Sequence, residues 1–147
     1  MKLISKNSSQ TKKIAAKFAG EILKSRPHRN HARVLALVGD LGAGKTTFVQ
    51  GFAKALGIRR RMTSPTFLIF RSYKLRIKNY GFLYHVDAYR IKKISELKTI
   101  YFDKVLDNPK NIVLIEWADR IKKILPKDAI WVDFRHGRKE TERFITY

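Results

Sequence analysis

The sequence predicts an α/β fold of three layers, with helices on both faces of a mixed sheet that carries an inserted antiparallel hairpin. Two segments, Val34–Val38 and Ile112–Trp117, open as continuous apolar runs, which is typical of strands buried on both faces of a parallel sheet. Segments with helical spacing alternate with these strands. Residues 66–73 and 82–87 are rich in aromatic and β-branched side chains on either side of Asn79-Tyr80-Gly81, which predicts the hairpin.

The other elements follow from periodicity and capping residues. Residues 1–5 are expected to form a short edge strand, and Ser9 is the expected N-cap of a helix over 10–25. One face of that helix is apolar at i, i+4 and i+8, with Ile14, Phe18 and Ile22. The remaining expected elements are a loop at Gly39–Gly44, a helix ending near Leu56 and Gly57, a helix over Ser95–Phe102 capped by Ser95, a helix over Ala118–Leu125, and strands at Ala129–Phe134 and Arg143–Tyr147.

The composition excludes several classes of protein. The 147 residues include no cysteine, which excludes disulfides, Cys-ligated zinc, iron–sulfur clusters and thiol catalysis. No apolar run approaches the ~20 residues that span a bilayer, and the N-terminal segment lacks the apolar stretch of a secretory signal. We therefore expect a cytoplasmic protein without a membrane partner. Its length is typical of one domain, here residues 1–147.

A large positive charge predicts a polyanionic partner. Lys and Arg number 32 against 12 Asp and Glu, which gives a formal charge of +20. Nucleic acid is the first expectation and an anionic membrane surface the second, while a general Lys/Arg bias of the source proteome is the third. The segment between Asp40 and Asp87 contains nine basic residues and no acidic one, including the run Arg59–Arg61. This segregation favours a basic face.

A phosphate-binding motif lies between the first apolar strand and the second helix. Gly39-Asp40-Leu41-Gly42-Ala43-Gly44-Lys45-Thr46 matches G-x-x-x-x-G-K-[ST]. The glycines permit a backbone that turns successive N–H groups towards phosphate oxygens, and the following helix adds its positive end. Lys45 is expected to reach the β- and γ-phosphates, and the Thr46 hydroxyl to ligate Mg²⁺. The motif predicts a P-loop nucleoside triphosphatase; Thr47, taken alone, is more typical of a helix surface.

Two carboxylates follow apolar strands and are candidates for the remaining chemistry. Glu116 comes after Ile112–Ile115, and Asp87 comes after Phe82–Val86. Ligands gather at the carboxyl ends of parallel strands, so both side chains are expected near the phosphate loop. One of them is expected to bind Mg²⁺, and the other to position or deprotonate the attacking water.

Four separated motifs together resemble one family. GDLGAGKTTF at 39–48, SPTF at 64–67, HVDAYR at 85–90 and IEW at 115–117 resemble, in order and spacing, the TsaE family, formerly called YjeE. These are the small P-loop ATPases of bacterial threonylcarbamoyladenosine tRNA modification. The resemblance spans nearly the whole chain. It implies ATP and Mg²⁺ as cofactors, and ATP hydrolysis within a complex with TsaD and TsaB that modifies tRNA beside the anticodon.

The resemblance also implies roles for single residues. Lys45 and Asp87 are then catalytic, with Asp87 as the acid that positions water, and Thr46 and Glu116 are the metal ligands. The nucleotide-binding residues are Asp40, Leu41, Gly42, Ala43, Gly44, Lys45, Thr46, Thr47 and Trp117.

The sequence leaves alternatives for several other features. Ser64-Pro65-Thr66 would be a switch-like segment near the γ-phosphate, by resemblance. His85 either pairs with Asp87 or packs as a core histidine. The segment after Arg90, IKKISELKTI, departs from the acidic, proline-containing stretch that the family usually has there. Two other functions stay open, a small-molecule P-loop kinase and a nucleic-acid-binding module switched by ATP.

Overall fold

The computed structural model describes residues 1–63, 65 and 68–147, which form seven strands, four α-helices and one 3₁₀ helix. In chain order these are β1 (Lys2–Ser5), α1 (Ser8–Lys24), β2 (Arg33–Gly39), α2 (Lys45–Ala55), β3 (Phe70–Ile77), β4 (Tyr80–Asp87), α3 (Ser95–Lys98), α4 (Phe102–Leu106), β5 (Asn111–Glu116), the 3₁₀ helix (Ala118–Ile124), β6 (Ile130–His136) and β7 (Arg143–Thr146). None of the helices in these residues is long and apolar enough to cross a membrane.

The strands form one mixed sheet in the order β1-β7-β6-β2-β5-β4-β3. Its centre is parallel, because β2 pairs with β5 and β6, and β4 pairs with β5. The two margins are antiparallel: β3 with β4 on one side, and β6, β7 and β1 on the other. The carboxyl ends of four parallel strands therefore meet at one edge, which we call the carboxyl edge, and the opposite edge is the amino edge.

Two apolar clusters cover the two faces of this sheet. On one face α1 and α2 pack on β2 and β5, with Phe18, Phe48 and Phe52 among the buried rings. The helices approach closely at Gly51, where a Cβ would lie 2.5 Å from the Cα of Lys12. On the other face the short helices bury Leu97, Phe102 and Ile121 against Val34, Val113 and Ile115. The α/β class with a mixed sheet and an antiparallel hairpin is confirmed.

The helical boundaries differ from those expected at three places. Asn7, not Ser9, caps α1, and its side chain accepts a hydrogen bond from the Gln10 amide. The segment expected as one helix over Ser95–Phe102 is two short helices, because Tyr101 adopts a left-handed conformation with φ of 54°. The helix after β5 is a 3₁₀ helix with non-helical backbone at Ile121.

The hairpin differs in its turn. Lys78 and Asn79 make it, whereas Tyr80 and Gly81 already belong to β4, and Tyr80 is buried against the core. The first strand, expected from residue 66, begins at Phe70, and Leu68 and Ile69 precede it; Thr66 and Phe67 lie outside the described residues. The apolar side chains of Leu68 and Ile69 extended the expected strand beyond the residues that pair with β4.

Candidate functional site

The loop between β2 and α2 takes a conformation that needs glycine at three positions. Gly39, Gly42 and Gly44 have φ values of 131°, 73° and 103°. L-residues rarely adopt such angles, and at Gly39 a Cβ would also lie 2.1 Å from the carbonyl oxygen of Phe134. Around Gly42 and Gly44 the nearest atoms to a Cβ are 3.8 and 3.7 Å away, so these two glycines are required by backbone angle rather than by lack of space.

Lys45, the first residue of α2, is 4% exposed and lies folded over the loop. Its Nζ donates to the carbonyl oxygens of Gly39 at 2.5 Å and Asp40 at 2.8 Å. Burial lowers the pKa of Lys45 below its ordinary value, and the attraction of nearby carboxylates opposes this, Glu116 first and then Asp40, Asp87 and Asp119. The ammonium is thus a cation held next to the loop by its own backbone.

Thr46, Glu116 and His85 form a chain of hydrogen bonds at the carboxyl edge. The hydroxyl of Thr46 donates to Oε2 of Glu116 at 2.9 Å, and Nε2 of His85 lies 2.7 Å from Oε1 of the same carboxylate. His85 is fully buried and Glu116 is 3% exposed. The carboxylate partner of His85 is therefore Glu116, which sequence reasoning missed when it considered Asp87. The two residues lie on the neighbouring strands β4 and β5.

Asp87 stands beside Glu116 at the same level of the sheet. The two residues are register partners in the parallel pair β4 and β5, so both side chains leave at the carboxyl edge. Asp87 is half-buried, and its Oδ1 accepts a hydrogen bond from the Tyr89 amide at 3.0 Å. The two carboxylates that the sequence singled out are thus brought together at the phosphate loop.

Trp117, the residue directly after β5, lies over Lys45 and lines the cleft. It has a left-handed backbone with φ of 58°, which turns the chain out of β5 and into the 3₁₀ helix. Its ring lies 4.0 Å from Nζ of Lys45, a cation–π contact. The ring of Tyr89 packs against Trp117 at a tilt of 52°, with ring centroids 4.9 Å apart, and the guanidinium of Arg120 lies 5.1 Å from the centre of the Tyr89 ring. The contacts among Trp117, Tyr89 and Arg120 were not predicted from the sequence.

Two residues near the C-terminus hold the loop from outside. His136 Nε2 lies 3.1 Å from the carbonyl oxygen of Leu41, and Nε of Arg143 donates to the carbonyl oxygen of Gly42 at 3.2 Å. These contacts join residues 95 and 101 positions apart. No local motif announces them, and they were not among the expected site residues.

These residues surround a cleft of about 270 Å³ at the carboxyl edge. Its lining is Leu41, Gly42, Gly44, Lys45, Thr46, Thr47, Asp87, Glu116 and Trp117. Ala43, within the loop, is instead fully buried. Asp40 is exposed, and its carbonyl oxygen accepts the hydrogen bond from Lys45. Of the expected switch-like segment, Pro65 is buried, whereas Ser64 and Thr66 lie outside the described residues.

Several basic residues of the acid-free segment line two neighbouring hollows. A cavity of about 680 Å³ is lined by Lys12, Gln50, Lys54, Gly57, Ile58, Arg59, Arg60, Arg61 and Met62. Arg60 and Arg61 also border a second hollow together with Arg71. The side chains of Arg59–Arg61 are exposed.

The fold and the cleft define an α/β protein with a mixed seven-stranded sheet and a glycine-rich loop that leads into a helix. The model of the family described as "Threonylcarbamoyl adenosine biosynthesis protein TsaE" matches residues 5–145. The chain belongs to this family.

Individual relatives agree with that assignment. A Bacillus subtilis protein named tRNA threonylcarbamoyladenosine biosynthesis protein TsaE is 41% identical over 117 residues, covering 78% of this chain and 68% of the relative. A Rickettsia felis protein of the same name is 36% identical over 132 residues, or 89% and 70% of the two chains. A crystal structure of YdiB from Bacillus subtilis aligns with a TM-score of 0.73 at 34% identity, over 99% of this chain and 82% of that one.

Proposed function

We propose that this chain is the Mg²⁺-dependent ATPase of tRNA threonylcarbamoyladenosine biosynthesis, acting in the cytoplasm with TsaD and TsaB. In this proposal residues 1–147 form one domain of the three-layer P-loop class. The observation that carries it is the contact of Thr46 with Glu116 at 2.9 Å directly below the loop. A hydroxyl at the start of the helix and a carboxylate at the end of a neighbouring strand are the two protein ligands that a phosphate-bound Mg²⁺ requires.

The donor set fits that ion. Mg²⁺ prefers oxygen ligands and is usually held by one or two protein groups together with substrate phosphates. Thr46 and Glu116 supply a hydroxyl and a nearly buried carboxylate, and His85 orients the carboxylate through Oε1. Mg²⁺ held by these residues would supply positive charge against the negative charge of the phosphates.

The other residues act on ATP and on water. Lys45 already sits over the loop, and we propose that its ammonium moves from the carbonyls of Gly39 and Asp40 to the β/γ-phosphate oxygens. Asp87 would hold the attacking water and accept its proton as the new bond to the γ-phosphorus forms and the bond to the β-phosphate oxygen breaks. Trp117 flanks the nucleotide in this proposal.

ATP hydrolysis with and without TsaD and TsaB tests the proposal. Lys45→Ala and Asp87→Asn are expected to lower stimulated hydrolysis by about 10²–10³-fold, the usual cost of one preorganised charge at a reacting phosphate. Glu116→Gln is expected to shift the Mg²⁺ requirement upwards as well. Lys13→Ala, an exposed lysine on α1, is the control and should hydrolyse ATP normally. Full stimulated activity in Lys45→Ala would contradict the mechanism.

Two further measurements separate this proposal from the two other functions. Transfer of the γ-phosphate to a metabolite, with little release of free phosphate, would support a kinase instead. Binding of tRNA that persists in Lys45→Ala and weakens steeply with salt would support the nucleic-acid module.

We also propose that the basic surface around Arg59–Arg61 contacts tRNA phosphates, which its exposed guanidinium groups would recognise without reading sequence.

A further inference from the structure

A second cluster of ligand-type side chains lies at the amino edge, far from the phosphate loop. His28 and His31 belong to the segment between α1 and β2, and Asp128 belongs to the segment between the 3₁₀ helix and β6. Strands β2 and β6 are parallel neighbours, with Leu35 paired to Ile130, so the segments that enter them run side by side. The sheet itself therefore brings the three side chains together.

Each histidine nitrogen lies at about the distance from an Asp128 oxygen that separates two ligands of one ion. Nδ1 of His28 lies 3.4 Å from one oxygen of Asp128, and Nε2 of His31 lies 3.4 Å from the other. Both separations exceed the 2.7–3.2 Å of an ordinary N–H···O hydrogen bond. Ligands at 2.0–2.2 Å from a tetrahedral zinc ion lie about 3.3–3.6 Å from one another. The ligand atoms of all three residues lie within 4.8 Å of one another.

The backbone orients one of the imidazoles for coordination. Nδ1 of His31 lies 3.0 Å from the carbonyl oxygen of Ala32, so the proton of the neutral ring is held on Nδ1. The lone pair is then on Nε2, the atom that faces Asp128. A histidine ligand that donates its other N–H to a backbone carbonyl is the usual arrangement at metal centres.

One cation, Arg33, also lies near His28. Arg33 is the cation that opposes a metal ion here. Its guanidinium, however, donates to the hydroxyl of Ser25 and the carbonyl oxygen of Arg26, which leaves the Asp128 carboxylate to the two histidines.

We propose that His28, His31 and Asp128 bind one divalent transition-metal ion, with Zn²⁺ as the best fit. Two imidazole nitrogens and one carboxylate oxygen suit zinc, whereas Mg²⁺ prefers a full set of oxygen ligands. The side chains of His28, His31 and Asp128 are 22%, 29% and 50% exposed, so a water can complete the coordination. The ion would join the entries to β2 and β6, at the opposite edge from the nucleotide cleft.

Titration of the full chain with ZnCl₂ in a calorimeter, without nucleotide or a polyhistidine tag, tests the proposal. One zinc per chain is expected, and His31→Asn and Asp128→Asn are each expected to weaken binding by at least about tenfold, because loss of even an outer partner of a ligand costs that much. His136→Asn and Glu21→Gln are the matched controls, since they remove a histidine and a carboxylate elsewhere, and both should bind zinc as the wild type does.

Two further measurements identify the ligands of the ion and the kind of ion that the site prefers. X-ray absorption at the zinc edge is expected to show imidazole nitrogen at about 2.0–2.1 Å. An equal concentration of Mg²⁺ should leave zinc binding unchanged. Unaltered zinc affinity in Asp128→Asn, displacement by Mg²⁺, or absence of imidazole ligands would each overturn the site. Asp128 is half-exposed and its replacement should leave the fold intact, which circular dichroism of the zinc-free variant checks.

Discussion

The two edges of the sheet are held in different ways. At the carboxyl edge Thr46, Glu116 and His85 form short hydrogen bonds among nearly buried groups, and His136 and Arg143 hold the loop from strands far along the chain. At the amino edge the residues that come together are partly exposed and stand 3.4 Å apart. The carboxyl edge is thus preorganised by the protein alone, whereas the amino edge is arranged so that a ligand can complete it. Four predictions test this difference.

The largest effect is expected where the loop leaves β2. Gly39→Ala should lower the free energy of unfolding by more than about 4 kcal/mol, because its Cβ would overlap the carbonyl of Phe134 at 2.1 Å and the backbone cannot yield. Gly57→Ala is the control: it has φ of 85° but no atom within 4 Å, so only the backbone angle costs energy, about 1–2 kcal/mol. Urea denaturation compares them, and equal losses would show that the close approach is unimportant.

The next effect concerns the buried pair at the carboxyl edge. His85→Ala should lower the free energy of unfolding by about 2–4 kcal/mol, because it leaves the carboxylate of Glu116 with one partner fewer and opens a cavity. His136→Ala removes an exposed histidine and should cost less than about 1 kcal/mol. Thermal or urea unfolding of both variants provides the measurement. An unchanged free energy of unfolding in His85→Ala would mean that the pair of His85 and Glu116 does not stabilise this edge.

The third effect is a dependence on pH that comes from Lys45. Because burial lowers its pKa in the folded protein, the folded state releases this proton at a lower pH than the unfolded state does. The contribution of Lys45 to stability therefore rises with pH, from the lowered folded pKa up to the ordinary value of 10.5. The difference in unfolding free energy between wild type and Lys45→Met should become more favourable to wild type over that range. Parallel pH profiles would contradict the burial of a charged Lys45.

The smallest effect is expected at the amino edge. Asp128→Asn in zinc-free protein should change stability by less than about 0.5 kcal/mol, since partly exposed ion pairs contribute little. Added zinc should raise the melting temperature of the wild type, because a ligand that binds only the folded state stabilises it, and the same zinc concentration should raise that of Asp128→Asn by less. A large loss on Asp128→Asn without zinc would show that the two edges are held alike.

Much of the site was predictable because its signals are local. The spacing of Gly39, Gly44 and Lys45 after an apolar strand predicts a loop that leads into a helix, and the structure has that loop, with positive φ angles at its glycines. Glu116 and Asp87 were expected together because each ends an apolar run, and they are register partners. Their roles, and those of Thr46 and Lys45 in binding ATP and Mg²⁺, remain predictions.

Other features were not predicted correctly from the sequence, for identifiable reasons. Ser9 was expected to cap α1, whereas Asn7 does; both residue types are good caps, and only the backbone decides between them. The helix expected over Ser95–Phe102 is broken by the left-handed Tyr101, although tyrosine gives no local sign of a break. The partner of His85 could not be chosen, since alternation along β4 identifies residues on one face and says nothing of the neighbouring strand.

The sequence by itself determined the α/β class, the phosphate loop and the two carboxylates, because each depends on residues close together in the chain. The tertiary structure alone decided which side chain orients Glu116, what holds the loop at Leu41 and Gly42, and that His28, His31 and Asp128 meet. Those contacts depend on strand order and register, which set β5 beside β4 and β6 beside β2. Pairing between strands is decided by the burial of the whole sheet, and no single segment carries that information.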